Sequence, residues 1–150
     1  MSFTATDAAG NAAVEVTRTV IVEDTLPPVV TLTGSASVTL EAGFDYTDAG
    51  ATAFDTVDGA ISVVVDNKVN TQVPGSYLVS FTATDAAGNA AVEVTRTVIV
   101  EDTSPPVITL TGSALVTIEA GSDYIDAGAT ATDTVDGAIS VVVDNKVNTQ

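Results

Sequence analysis

Residues 76–102 read SYLVSFTATDAAGNAAVEVTRTVIVED, and this stretch decides the fold. Its first half alternates. Tyr77, Val79, Phe81 and Ala83 fall on one side, and Ser80, Thr82 and Thr84 on the other. A period of two marks a strand with one buried face. Asp85-Ala86-Ala87-Gly88-Asn89 follows as a hairpin turn, with Gly88 at its tight point. The chain then returns along a second β-branched run that ends at Asp102.

Most of this hairpin occurs twice. Residues 2–25 and 80–103 are the same 24 letters, so Ser2 recurs as Ser80 and the period is 78 residues. Residues 1–72 align with 79–150 without a gap and differ at eight positions, among them Leu26/Ser104, Phe44/Ser122 and Phe54/Thr132. A repeat of this length is one structural unit, and it sets the domain plan. Residues 25–102 make a complete unit. Residues 1–24 carry the last strands of a unit, and residues 103–150 carry its earlier strands.

Outward from the hairpin, the rest of the complete unit has the same texture. Pro27-Pro28 forbids a helix at the entry. Val30 and Leu32 alternate with Thr31 and Thr33, and Val38 and Leu40 with Thr39 and Glu41. A small-residue strand ends near Asp55, Asp58-Gly59 supplies a turn, and Ile61–Asp66 is a β-branched run. A polar connection, 67–76, leads back to the hairpin. The spacing predicts about seven short strands per 78-residue unit, with no helical period, in an all-β antiparallel two-sheet sandwich. The two-proline linkers predict stiff coupling between units.

Composition narrows the function classes. With 4 Lys+Arg against 20 Asp+Glu, the formal net charge is −16, which repels nucleic acid and anionic membrane surfaces and attracts cations. No run of about 18 apolar residues is present for membrane insertion. Met1 is followed by polar strand-like sequence rather than a leader. There is no Cys and no His, so the usual nucleophile–base pairs are missing and no enzyme activity is expected. Lys68 and its copy Lys146 sit in the polar stretch DNKVNT, where a solvated charge is expected rather than a partner in a covalent cross-link.

The order DTxPPVxTLTG, then EAGxDYxDAGATAxDTVDG, then PGSYLVSFTATDAAGNAA resembles the bacterial immunoglobulin-like repeats found in tandem in large secreted and surface proteins, relatives of the hyalin-repeat sandwich. Its most specific parts are Asp48-Ala49-Gly50-Ala51, Asp55 to Gly59, and Tyr77 through Asn89. The resemblance implies an Ig-like β-sandwich, a tandem array, an extracellular or cell-surface place and no catalysis.

Calcium is the one cofactor that the residue types favour, because it takes about six to eight oxygen ligands, mostly carboxylates and carbonyls. The candidates are the junction residues Glu23, Asp24, Glu101 and Asp102, followed by Asp48, Asp55, Asp58, Asp85 and Asn89. Acidic residues at module junctions can hold an ion that stiffens the joint. The spacing matches no EF-hand loop. Asp58-Gly59 and Asp85–Asn89 are also good turns in their own right, and Asp48 and Asp55 suit bonding to nearby backbone N–H groups.

Phe44 becomes Ser122 and Phe54 becomes Thr132 in the second copy. In a core such changes would cost about 3 kcal/mol or more, so both positions are expected at the surface. The expected function is that of a structural module: a stalk, spacer or fibre whose end segments are completed either by neighbouring repeats of a longer array or by other copies of the chain, joined head-to-tail by strand complementation. The alternative is a calcium-dependent adhesive module that binds carbohydrate or protein.

Overall fold

The computed structural model describes residues 1–150. The complete unit contains seven strands: β3 (Val29–Leu32), β4 (Ser37–Glu41), β5 (Ala51–Asp55), β6 (Gly59–Ile61), β7 (Val64–Asn67), β8 (Gly75–Thr82) and β9 (Val94–Glu101). They form two sheets, β3-β5-β6 and β4-β9-β8-β7. Val30 and Ala53 from the first sheet meet Val79, Phe81 and Val98 from the second, with Ala83 just beyond β8, in one apolar core. Val79, Phe81 and Val98 are fully buried. These are the inward positions of the opening alternation, so the period-two pattern and the core agree.

Two features depart from the sequence reading. Strand β4 pairs with β9 in parallel, from Ser37 opposite Thr97 to Glu41 opposite Glu101, where an antiparallel sandwich was expected throughout. Strand direction is invisible in a local pattern, because both directions alternate with the same period. The β-branched run that began at Ile61 is two strands rather than one. Strand β6 pairs with β5, and β7 pairs with β8 in the other sheet, so the chain changes sheets between Ile61 and Val64.

The two end segments each hold only part of the strand set of the complete unit. Residues 80–82 belong to the eight-residue β8, whereas the identical residues at the start of the chain form only β1 (Ser2–Phe3), paired with β2 (Val16–Thr17). After residue 102, β10 (Val107–Leu110), β11 (Ala129–Asp133) and β12 (Gly137–Ile139) repeat the β3-β5-β6 sheet. The counterpart of β4, residues 115–119, is not a strand, and neither is the counterpart of β7, residues 142–145. In the complete unit those strands lie on β9 and β8, which residues 103–150 do not contain. A ladder needs both partners, so the same sequence is a strand in one unit and irregular in the next.

Phe44 and Phe54 are 64% and 63% exposed, the surface placement that the repeat comparison required. Phe54→Thr, which copies the second repeat, is therefore expected to change stability by no more than about 0.5 kcal/mol in urea denaturation. Lys68 is likewise at the surface, 2.8 Å from Asp66.

Candidate functional site

The most constrained charge in the unit is Arg96. It follows Val94 and precedes Val98 and Val100 in the inward phase of β9, and it is 1% exposed. Its Nε donates to the Ser35 carbonyl at 2.8 Å, and Nη2 donates to the carbonyls of Thr33 at 2.5 Å and Gly50 at 3.3 Å. Nη1 pairs with the Asp48 carboxylate, and the guanidinium lies over the Phe81 ring, 5.6 Å from its centroid. A buried guanidinium persists only when its donors are satisfied in this way. Asp48 also accepts from Tyr46 Oη at 2.5 Å and the Gly50 amide at 2.6 Å. Burial pushes the Asp48 carboxyl up, but the hydrogen bonds from Arg96, Tyr46 and Gly50 together hold it below its ordinary value. The sequence reading did not single out Arg96. The signal was present in the alternation, which places Arg96 on the same face as three valines.

The acidic candidates do not gather in one place. Asp48 belongs to the arginine site. Asp24, Asp55 and Asp85 come together, each with one carboxylate oxygen within 4.8 Å of the others. Asp102 gathers in the same way with Asp133 and Asp136, the repeat counterparts of Asp55 and Asp58, which had not been named as ligands. Glu23 and Glu101 are exposed and lie outside both clusters.

The turns that deliver these carboxylates are built locally. Asp55 Oδ1 accepts from the amides of Val57 at 2.7 Å and Asp58 at 3.1 Å, closing the β5–β6 hairpin with Gly59 at φ +76°. Asp133 makes the same turn, with 2.7 Å to Val135 and 3.1 Å to Asp136. Asp85 Oδ1 accepts from the Asn89 amide at 2.7 Å and Oδ2 from Asn89 Nδ2 at 2.8 Å, with Gly88 at φ +95°. Burial raises the Asp85 carboxyl, but hydrogen bonds from Asn89 and from the Gly88 and Ala87 amides outweigh it and hold the group low. Asn89 Nδ2 also reaches the Asp24 carbonyl at 3.2 Å, so this turn touches the linker that precedes the unit. At the following linker, Glu41 accepts from the amide and hydroxyl of both Thr103 and Ser104, at 2.8–3.0 Å. Leu26, which stands where Ser104 does, has no hydroxyl for such a bond.

Residues 103–150 leave the face that β8 and β9 cover in the complete unit open as a groove of about 480 Å³. Its apolar lining includes Leu110, Val116 and Ile118, and its polar lining includes Thr111, Ser113, Asp126 and Gly128. These four are the repeat counterparts of Thr33, Ser35, Asp48 and Gly50, the residues that accept from Arg96. Tyr124 Oη already donates to Asp126 at 2.6 Å, as Tyr46 does to Asp48. The groove is an arginine site without its arginine.

A seven-strand sandwich on a 78-residue repeat now has a counterpart among known proteins. The model of the bacterial surface protein Ig-like domain family matches residues 30–100 and 108–150. The chain belongs to this family. Both matched segments begin within the first strand of a unit, β3 or β10, in agreement with the repeat frame. The chain is also similar to hyalin of Strongylocentrotus purpuratus, at 30% identity over 156 residues. That match takes in 97% of this chain and spans 13% of the length of hyalin. Among solved structures, the lipoprotein BT2262 from Bacteroides thetaiotaomicron is similar at 28% identity with a TM-score of 0.46, over 52% of this chain and 39% of that one. The bacterial surface Ig-like family is one of surface modules, and the two-sheet architecture is its fold.

Proposed function

We propose that the chain is a structural element of an extended array at the cell surface, in which each open half-sandwich is closed by a strand pair of the sequence Ser2–Glu23. The carrying observation is the groove of residues 103–150, lined by counterparts of all four Arg96 acceptors. A second copy carries the matching piece. Its Phe3 and Arg18 are the counterparts of Phe81 and Arg96, and they keep the same cation–π pair, 5.7 Å apart, in the short β1–β2 hairpin. Arg18 complements Asp126 in charge, and Phe3, 47% exposed, offers apolar area to the groove. Such a contact is head-to-tail, so it grows into a filament unless it closes into a ring. The role is mechanical: a stalk, spacer or fibre, outside the cell. Family membership supports a non-catalytic module.

Light scattering across a wide concentration range, in chelator, tests this reading. The expected result is mass that grows with concentration beyond a dimer, and an Arg18→Ala variant that needs at least about tenfold more protein to reach the same mass. A 15.0 kDa monomer at every concentration would sink the reading.

A further inference from the structure

We propose that Thr111, Ser113, Asp126 and Gly128 form a ready-made receptor for a guanidinium group, which takes the Arg18 head of a second copy and rejects an ammonium in the same place. The proposal rests on the array reading and names the chemistry that selects its contact. The complete unit shows how the same four residue types hold a guanidinium. There each nitrogen of the Arg96 head has its own acceptors: Nε the Ser35 carbonyl, Nη1 the Asp48 carboxylate, and Nη2 the carbonyls of Thr33 and Gly50. Acceptors divided among three nitrogens fit a rigid fork of N–H donors. An ammonium is a single point with three donors on a flexible stem, and it cannot serve all four.

The receptor keeps its shape without the arginine. The Thr111 amide donates to the Gly128 carbonyl at 2.8 Å, as Thr33 does to Gly50 at 2.9 Å. Ser113 Oγ donates to the Leu115 carbonyl at 2.8 Å and accepts from the Leu115 amide at 3.3 Å, and Ser35 makes the same pair with Ser37 at 2.7 and 3.3 Å. The Gly128 amide donates to Asp126 Oδ1 at 2.7 Å, against 2.6 Å for Gly50 on Asp48. A Cβ on Gly112 would lie 3.7 Å from Ala127 Cβ, and one on Gly34 would lie 3.6 Å from Ala49 Cβ, so the two loops pack at the same separation in both units. None of these contacts involves the arginine. The acceptors are placed by their own loops, and an entering guanidinium has no loop to order.

Charge and stoichiometry agree with this occupant. The Tyr124 hydroxyl, and then the Gly128 amide, hold the Asp126 carboxyl below its ordinary value, so it meets a cation as a carboxylate. Of the four Lys and Arg in the chain, Lys68 and Lys146 each lie 2.8 Å from a neighbouring aspartate, and Arg96 is bound to Asp48. That leaves Arg18 as the guanidinium without a carboxylate partner. The pocket of the complete unit is filled by its own Arg96, so each copy offers one receptor and one donor.

The test is fluorescence anisotropy of a labelled synthetic peptide of residues 2–23, titrated with the full chain carrying Arg18→Ala, whose own donor is disabled. The unchanged peptide is expected to bind one per chain. An Arg18→Lys peptide, with the same charge, is expected to bind at least about tenfold more weakly, within about twofold of an Arg18→Ala peptide. Asp126→Asn in the receptor chain weakens the unchanged peptide by at least about tenfold, while the urea transition of the complete unit stays in place and reports an intact fold. An Arg18→Lys peptide that binds within about twofold of the unchanged one overturns the guanidinium selectivity. No binding of the unchanged peptide overturns the receptor. Growth of mass in the wild-type chain reports on the array alone. Growth with equal binding of the two charged peptides overturns the selectivity and leaves the array, and selective binding without growth does the reverse.

Discussion

Arg96→Met lowers the stability of the complete unit by about 3–5 kcal/mol, as read from urea denaturation. Methionine fills much of the volume but leaves the Asp48 carboxylate without its cation. It also strands the carbonyls of Ser35 and Thr33, and leaves the Gly50 carbonyl with the Thr33 amide as its donor. Removing one partner of a buried pair is far more damaging than replacing both, because the remaining charge keeps its desolvation penalty. The repeat supplies an internal control. Arg18 has the same sequence on either side but is exposed. Arg18→Met is expected to change the unfolding of the complete unit by less than about 0.5 kcal/mol. Equal effects from the two substitutions would mean that the buried network contributes nothing beyond local sequence.

Phe81→Ala is expected to be as severe, at about 3–5 kcal/mol, or a fall of about 12 °C or more in melting temperature by calorimetry. Phe81 is fully buried between the sheets and also forms the floor beneath the Arg96 guanidinium, so its loss opens a cavity and loosens the charge site together. Phe3→Ala, at the identical position of the first segment, is the matching control and is expected to leave the complete unit's transition in place. Because Phe81 and Arg96 touch, the double variant should fall short of the sum of the two.

These paired positions also show how far the sequence could be read. The strands and the core were legible because a half-buried strand writes its burial into a local period of two. Val79, Phe81 and Ala83 announced themselves that way. The parallel pairing of β4 with β9 and the change of sheet after Ile61 were not legible, since both depend on which distant strand lies alongside. The candidate site was legible in its residue types and in its turns. Asp55 and Asp85 bind the backbone groups that their spacing suggested. Which carboxylates meet was hidden, because Asp24 reaches Asp55 and Asp85 only when the linker folds back against two loops of the unit. Arg96 was missed for a different reason. A charged residue in an apolar phase reads as an interruption until its four acceptors, 46 to 63 residues away in sequence, are in place.

The parallel alignment of β4 and β9 governs how the unit carries load. The chain enters through β3 and leaves through β9, which is gripped by β4 on one edge and β8 on the other. Traction on the exit of β9 acts along the strand and across its hydrogen bonds. The rungs on both edges then share the pull at once, instead of parting one after another as in a peeled hairpin. Arg96 sits in the first half of β9 and hooks it crosswise to the loops at Ser35 and Gly50. A sliding β9 must draw that bulky head out of its socket. The charge in the core is thus also a barb against slippage.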